Sequence, residues 1–305
     1  MTEPRRLMLV HAHPPDDEVT STAITMAHHV GLGDRVTLVT CTLGEEGDIV
    51  VDDLKNLRSE DPDAWAGTAS GGNSPRRCGC SGVTDFVRLG GDGKYRDSGM
   101  AVDEQGRVIP VPDATGNTFW SADLTEAATD LAVLIRDRRP QVLITYDQYG
   151  SYGHPDHIQA HRVAMYGSQL AAVPSYRPDL GGRPGRFPRM LWTAMAESGF
   201  REGLRRMQEA GRDWPWGGTT IRRGRCPDGH PGLRHRRRGV RPERGEQKLQ
   251  AFRAHASQIP TDFFLYQLSD TLGPGVLTRE SYRFAGGGAG TEGCKGYLLR
   301  AVSCH

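Results

Sequence analysis

The feature that most constrains the fold of this chain is a repeated alternation between short apolar runs and longer segments with helical periodicity. The apolar run RLMLVHA (6–12) is followed by TSTAITMAHHVGLG (20–33), where apolar residues recur at helical spacing. Later, the amphipathic segment 121–140 precedes the apolar run QVLITYD (141–147), and a second amphipathic segment follows at 157–173. Further apolar runs that predict strands are 34–44, 84–91 and 189–198. This alternation predicts an α/β fold with a Rossmann-like, mostly parallel sheet and helices on both faces.

Polar residues are crowded at two of the predicted strand ends. The first strand runs directly into HAHPPDDEVT (11–20), and QVLITYD is followed closely by YGHPDH (152–157). In a parallel sheet of this kind, ligands bind beyond the carboxyl ends of the strands, which share one edge. We therefore expect both clusters to contribute to one active site at the C-terminal strand ends.

The residue types in these clusters suit a catalytic zinc ion. Such a site uses about three protein ligands from His, Asp or Glu and keeps one position open for water. The polar candidates in the two clusters are His11, His13, Asp16, Asp17, Glu18, Tyr152, His154, Asp156 and His157. A remaining carboxylate can act as a general base. The alternative is structural, because His-Pro-Asp stretches also form turns in which Asp16 or Asp17 caps a helix.

Several neighbouring polar residues have a simpler structural interpretation. His11 precedes the strand end, which favours a structural role, and Glu18 opens a helix, where a carboxylate favours the helix dipole. His161 lies one helical turn after His157 and is expected to support it from behind. The acidic loop GEEGD (44–48) either faces the site or forms a solvated turn.

Length and charge narrow the class of protein. A chain of 305 residues can bury a substantial core, in one large α/β domain or two small ones. Its formal net charge of +1 gives no general attraction to nucleic acid or acidic membranes, and no apolar stretch approaches the roughly 20 residues of a spanning helix. The six cysteines form no CxxC pair, which argues against a zinc ribbon. We expect a soluble cytoplasmic protein without nucleic-acid or membrane partners.

We expect two parts of the chain to have different tasks. Residues 1–170 form the α/β catalytic core with both polar clusters, and residues 171–305 complete the fold and the substrate pocket. Three segments, 62–82, 217–245 and 290–305, lack the periodic pattern. Structureless loops of this length are uncommon inside compact domains. Two interpretations stay open: solvated loops, or stretches translated out of frame.

Four motifs together resemble one enzyme family. They are HAHPPDDE (11–18), VTCTLGEEGD (39–48), YRDSGM (95–100) and TYDQYGSYGHPDH (145–157). They resemble the LmbE/PIG-L-type zinc N-deacetylases, and AFRAHASQI (251–259) is similar to the C-terminal helix of that family. The likeness covers most of the chain apart from the three atypical segments. GEEGD together with RDSGM favours the members that deacetylate N-acetylglucosaminyl-inositol over the related mycothiol S-conjugate amidases.

The resemblance implies a role for each site residue. The implied metal ligands are His13, Asp17 and His157. Asp16 is the implied general base, and His154 the group that faces the developing oxyanion and protonates the leaving amine. Tyr152 is implied to polarise the acetyl carbonyl, and Asp97 to bind a sugar hydroxyl.

The resemblance also implies a reaction. The expected function is zinc-dependent removal of the N-acetyl group from N-acetylglucosaminyl-inositol in mycothiol biosynthesis. One zinc ion per subunit is implied, with Fe²⁺ as the alternative metal, and the partner is a small-molecule amino sugar. The alternatives are a mycothiol S-conjugate amidase and a pseudoenzyme with an impaired site.

Two departures from the family pattern motivate the pseudoenzyme alternative. Pro15 is an extra residue between the histidine and the paired acids, and it lengthens this loop by up to about 3.5 Å of chain. Segment 62–82 occupies the place of a family helix whose Tyr-Arg pair supplies a substrate-binding Arg, and no matching Arg can be placed. When this segment is back-translated with G/C-rich codons and read two bases later, one product that it can give is a helix-like sequence with such a pair, which keeps the out-of-frame interpretation open.

Overall fold

The computed structural model describes the central sheet and the helices that cover it. The described residues are 4–14, 20–47, 82–112, 116–184, 188–194, 197–209, 211, 242–254, 259, 264–272, 277 and 280–286. The sequence predictions that fall outside them concern Pro15, Asp16, Asp17, Glu18, residues 255–258 of AFRAHASQI, and segments 62–81, 217–241 and 290–305.

Strands and helices follow one another in the order expected for an α/β chain. The strands are β1 (Arg6–His11), β2 (Arg35–Thr40), β3 (Asp85–Arg88), β4 (Ala101–Val102), β5 (Val108–Ile109), β6 (Val142–Thr145), β7 (Arg189–Ala194) and β8 (Ser281–Gly286). The helices are α1 (Ala23–Gly31), α2 (Leu124–Arg138), α3 (Pro155–Ala172), α4 (Glu197–Glu209), α5 (Pro242–Ala254) and α6 (Phe264–Leu272).

The strands form a six-stranded sheet in the order β3-β2-β1-β6-β7-β8. All neighbouring pairs are parallel except β7 and β8, which are antiparallel. The chain moves outward from β1 to β2 and β3 on one side, and continues through β6 to β7 on the other. The carboxyl ends of β1 and β6 therefore flank the point where the strand order reverses, which is where such sheets bind ligands. The predicted mostly parallel α/β fold is confirmed.

Alternate residues of the central strands bury opposite faces of the sheet. Met8 and Val10 of β1 belong to a core shared with α2 and α3. Leu7 and Leu9 belong to a second core on the other face, where Met26 of α1 packs against them. All five side chains are at most 2% exposed, so both faces of the sheet are covered by helices as predicted.

Some elements differ from the sequence prediction. The predicted strand 189–198 ends at Ala194, and α4 begins at Glu197. The small antiparallel pair β4–β5 and the antiparallel edge strand β8 were not predicted. Residues 242–245, the end of the atypical segment 217–245, already belong to α5. Within the described ranges, no helix is both long and apolar enough to cross a bilayer.

Candidate active site

The end of β1 is fixed by a buried network around His11. The Tyr146 hydroxyl lies 3.3 Å from His11 Nδ1 and accepts a hydrogen bond from the Ala12 backbone N–H at 3.0 Å. His11 Nε2 lies 2.9 Å from Thr22 Oγ1 at the start of α1. His11 is completely buried, and both of its ring nitrogens contact protein groups. These contacts agree with the structural role expected for His11. They fix the backbone at the end of β1, two residues before His13.

The other half of the site is built where β6 passes into α3. His154 is the N-cap of α3, and its Nδ1 accepts a hydrogen bond from the Asp156 backbone N–H at 3.1 Å. Pro155 follows within the first turn, where its missing N–H costs no helical hydrogen bond. His157 Nδ1 lies 3.2 Å from the Gly150 carbonyl oxygen. Gly150 has φ +63°, and a Cβ there would lie 2.8 Å from the Ile158 backbone nitrogen, so this tight turn requires glycine.

Three histidine rings from the two halves converge. The ring centroid of His13 lies 4.7 Å from that of His154 and 5.5 Å from that of His157. The rings of His154 and His157 are themselves 4.8 Å apart. Tyr146 stacks on His157 at 4.2 Å, with the two ring planes 9° apart. The predicted meeting of the two polar clusters at one edge of the sheet is thus realised by His13, His154 and His157.

Two buried carboxylates face His13 from other elements. Its Nε2 lies 3.3 Å from Asp97 Oδ1 and 3.2 Å from Asp156 Oδ2. Asp97 is also held by the backbone N–H groups of Gly99, at 2.9 Å, and Glu46, at 3.3 Å. The imidazole of His13 therefore stands between two acids. The cost of burying both acids is offset only if they share a positively charged or hydrogen-bond-donating group such as this ring.

Ser98 ties the second carboxylate to the loop after β3. Its backbone N–H donates to Asp156 Oδ2 at 2.9 Å, and its hydroxyl donates to Asp156 Oδ1 at 2.5 Å. The same hydroxyl oxygen accepts from the Trp120 backbone N–H at 2.8 Å. Ser98 thus fixes both oxygens of Asp156, and with them the first turn of α3.

The surroundings shift the pKa values of the two carboxyl groups, Asp97 and Asp156, in opposite directions. Burial raises the pKa of Asp156, and the nearby charge of Asp97 adds to the rise, against the opposing effects of His13 and Ser98. Burial would raise the pKa of Asp97 as well, but the charge and hydrogen bond of His13 outweigh it, so the pKa of Asp97 lies well below its usual value. The pKa of Asp97 is thus shifted below, and that of Asp156 above, the usual value of an aspartate.

Two overlapping groups in the described part of the chain offer ligand atoms for a metal ion. One consists of His13, His154 and His157, and the other of His13, Asp97 and Asp156. In each group, all the ligand atoms lie within 4.8 Å of one another. Imidazole nitrogens and carboxylate oxygens from separate strand ends are the donors that a catalytic zinc site uses. The residues present therefore fit a divalent metal ion.

The remaining predicted site residues are placed as follows. Tyr152 is 54% exposed, and its ring centroid lies 5.1 Å from that of His157, so it borders the open side of the cluster. Asp97, predicted to bind a sugar hydroxyl, is 5% exposed and directed at His13. Asp16 and Asp17 lie outside the described residues.

The sequence predicts only some of the supporting residues, among them His161. It offers Asp156 as a candidate without a specific role, and no role is predicted for Ser98. Glu45, left undecided, is 3% exposed and accepts from the Asp97 backbone N–H at 3.0 Å. His161 Nδ1 lies 3.0 Å from the Tyr146 carbonyl oxygen, which links it to His157 through the stacked ring. The available signal in the sequence was the serine directly after Asp97 in YRDSGM and the acid directly before His157 in HPDH.

Comparison of the sequence with known proteins gives consistent matches. Residues 8–166 match the model of a family described as PIG-L: GlcNAc-PI de-N-acetylase. A protein of Kribbella flavida named 1D-myo-inositol 2-acetamido-2-deoxy-alpha-D-glucopyranoside deacetylase is 44% identical over 98% of both chains. A protein of the same name from a Nocardioides species is 47% identical over 95% of both chains.

The fold is also similar to that of a solved structure. N,N'-diacetylchitobiose deacetylase from Pyrococcus horikoshii aligns with 93% of this chain and 84% of its own, with a TM-score of 0.52 and 16% sequence identity. At that level of identity, the similarity concerns the fold, and it extends beyond the segment that the family model matches.

Proposed function

The chain belongs to the PIG-L family of GlcNAc-PI de-N-acetylases, and we propose that its substrate is 1D-myo-inositol 2-acetamido-2-deoxy-α-D-glucopyranoside. It is an amide-hydrolysing N-deacetylase. This substrate is supported by the 44% and 47% identity, over nearly the whole chain, to relatives named for this deacetylation. We place the reaction in mycothiol biosynthesis and in the cytoplasm.

We propose zinc as the metal, one ion per chain, with Fe²⁺ as the alternative. The proposed ligands are His13, Asp17 and His157. The convergence of His13 and His157 from different strand ends supports this choice. When bound, zinc supplies a Lewis acid that polarises the acetyl carbonyl and makes water an effective nucleophile near neutral pH.

Two side chains would act on the reacting atoms. Asp16, next to the proposed ligand Asp17, accepts a proton from the attacking water as the general base. Because the Nδ1 of His154 accepts from the Asp156 backbone N–H, the neutral ring of His154 carries its proton on Nε2 and donates a hydrogen bond to the developing oxyanion. A neutral imidazole does not release this proton to an amine. As the C–N bond breaks, the nitrogen therefore keeps the bonding electrons and takes the proton that Asp16 removed from water, so the products are acetic acid, which ionises to acetate, and a free amine.

Two further residues would orient the substrate. Tyr152 is exposed beside His157, so its hydroxyl can reach an acetyl oxygen from the solvent side. We retain Asp97 as the partner of a sugar hydroxyl. A carboxylate is a strong hydrogen-bond acceptor for such a hydroxyl group. The contact of Asp97 with His13 suggests that it also orients this ligand.

The test is hydrolysis of a matched set of amides by the zinc-loaded protein. Acetate and free amine should form from N-acetylglucosaminyl-inositol, and a mycothiol S-conjugate should be cleaved far more slowly. Cleavage of the conjugate alone would identify an amidase instead. A zinc-loaded protein that cleaves neither compound would contradict the proposal and favour a pseudoenzyme.

A further inference from the structure

The N-terminus of α1 is capped from a distant part of the chain. Thr22, its N-cap residue, makes no side-chain capping hydrogen bond. The Glu280 carboxylate takes that place, accepting from the backbone N–H groups of Ile24 at 2.9 Å and Thr25 at 2.8 Å. These contacts join residues 256 and 255 positions apart in sequence. A carboxylate at this end of a helix satisfies otherwise unpaired donors and is favoured by the helix dipole.

A lysine completes this cap and reaches the chain that leads into α1. Lys248 Nζ donates to Glu280 Oε1 at 3.1 Å and to the Thr20 carbonyl oxygen at 2.7 Å. The Tyr282 hydroxyl donates to Glu280 Oε2 at 3.2 Å and lies 2.6 Å from Thr25 Oγ1. The side chains of Lys248 and Glu280 are 3% and 4% exposed, so the pair is almost fully removed from solvent.

This cluster lies at one end of the loop that joins β1 to α1. Thr20, whose carbonyl Lys248 holds, is three residues after Asp17, and His13 stands at the other end of the same loop. His11 holds Thr22 from the β1 side. The geometry of a catalytic ligand has to be kept within about 0.5 Å. A loop that carries such a ligand must therefore be fixed at both of its ends by the surrounding structure.

We propose that Lys248 and Glu280 are positioning residues that set the geometry of the metal ligands on the β1–α1 loop. The proposal rests on the proposed function, since it assigns His13 and Asp17 to the metal. The pair contacts neither the histidine cluster nor its carboxylates among the contacts described above. It acts by fixing Thr20 and the first turn of α1, which makes α5 and β8 part of the metal site's support.

A plain structural role would have a different signature. Removing one member of a buried ion pair destabilises a protein because the other charge is left without compensation. That loss alone would lower the free energy of unfolding without selectively weakening the metal site. A positioning role requires a larger loss of zinc affinity. Variants of the pair must bind zinc more weakly than a variant that loses the same stability at another place on α1.

The opposite end of α1 provides a matched control. Asp34 is a buried carboxylate, 5% exposed in its side chain, and it lies 2.7 Å from His29 Nδ1 and 2.9 Å from the Arg5 guanidinium. Asp34→Asn therefore perturbs a buried ionic contact of the same helix at the end remote from the loop. Glu280→Gln and Lys248→Met perturb the loop end, and Lys248→Met leaves the carboxylate cap on α1 in place.

The experiment titrates metal-free full-length protein with Zn²⁺ against a chromophoric chelator, with circular dichroism and thermal unfolding recorded for each variant. Glu280→Gln and Lys248→Met should weaken zinc binding about tenfold or more, as is typical for residues that orient ligands. Asp34→Asn should leave zinc affinity within about twofold of wild type while lowering the unfolding temperature comparably. If Glu280→Gln fails to fold, Lys248→Met decides the question by the same titration.

Equal zinc affinities for wild type and Lys248→Met would overturn the positioning role. An equal weakening in Asp34→Asn would overturn it too, because the effect would then follow stability alone. The titration needs no substrate, so a wild-type protein that binds zinc but releases no acetate would contradict the proposed function only.

Discussion

The two halves of the active site are held in place in different ways. On the β6–α3 side, each histidine is fixed by near neighbours: His154 by the Asp156 backbone N–H, and His157 by the Gly150 carbonyl and the stacked ring of Tyr146. On the β1–α1 side, Thr20 and the first turn of α1 depend on Lys248 and Glu280, which are more than 200 positions away.

This difference indicates which half of the site is sensitive to mutations in distant parts of the chain. Local contacts form whenever the turn and the first turn of α3 form, so about a dozen consecutive residues specify most of the β6–α3 half. Ser98 supports this half from the loop after β3, through Asp156. The β1–α1 half requires that β8 pairs with β7 at the edge of the sheet, because Glu280 directly precedes β8. It also requires that α5, which carries Lys248, packs against α1. We therefore expect mutations in the β6–α3 motif to act on chemistry and metal binding directly, whereas mutations at Lys248 and Glu280 weaken the β1–α1 half from a distance.

The largest effect should come from removing a ligand of the locally fixed half. His157→Ala should abolish stoichiometric zinc and lower kcat/KM by about 10³-fold or more, because a Lewis acid contributes several kcal/mol to the transition state. Metal analysis of the purified variant, alongside acetate release, checks this. Full zinc occupancy in His157→Ala would remove it from the ligand set.

Removing the proposed base should separate chemistry from metal binding on the β1–α1 side. Asp16→Asn should keep one zinc per chain and lose about 10²- to 10⁴-fold in kcat, the usual contribution of general acid–base catalysis. The measurement is kcat under saturating substrate with the zinc content of the same sample. Near-normal turnover with stoichiometric zinc would reject the role of Asp16.

His154 tests the same separation on the β6–α3 side. His154→Ala should lower kcat by about 10²- to 10³-fold with a smaller change in zinc affinity, because the group acts on charge that develops in the transition state. It should also cost about 1 kcal/mol of stability through the lost cap of α3. His154→Asn is the control, since Asn caps helices well: stability should return while kcat stays low. Recovery of kcat in His154→Asn would mean that only the cap matters.

The smallest effect on activity is expected at Asp34, which lies far from both halves. Burial would raise the pKa of Asp34, but the hydrogen bonds from Arg5 and His29 outweigh it and lower the pKa below its usual value. The stability from these contacts is therefore present above the unfolded-state pKa of about 3.9 and is lost as the pH falls through the lower folded-state value.

Unfolding of wild type and Asp34→Asn by urea tests this prediction. The variant should be less stable at pH 7 by about 1.5–3 kcal/mol, the range for hydrogen bonds to charged groups, and the gap should close below about pH 4. A gap that does not change with pH would show that the carboxylate charge of Asp34 is not the source of the stability.

The same contrast explains what could be predicted from the sequence. The strands β1, β2, β3 and β6 and the helices α2 and α3 were predicted because each is a contiguous apolar or amphipathic stretch. The β8 strand, SYRFAG, has no such run, and it is a strand because it pairs antiparallel with β7, some ninety residues earlier. Pairing of this kind leaves little trace in local sequence.

The site followed the same rule. The histidine cluster was predicted because its members stand in two short motifs at strand ends. The supporting roles of Ser98 and Lys248 were not, because each depends on a contact with another part of the chain: Ser98 with Asp156, and Lys248 with Glu280 and Thr20. Neither residue differs in type or local pattern from ordinary surface residues.

The most direct test of the whole account is acetate release from N-acetylglucosaminyl-inositol as zinc is added back to chelator-treated protein. We predict that metal-free protein is inactive and that activity rises linearly and reaches a plateau at one equivalent of zinc per chain, since both halves of the site hold a single ion. Metal-free protein with full activity, or zinc-loaded protein that releases no acetate, would contradict the account.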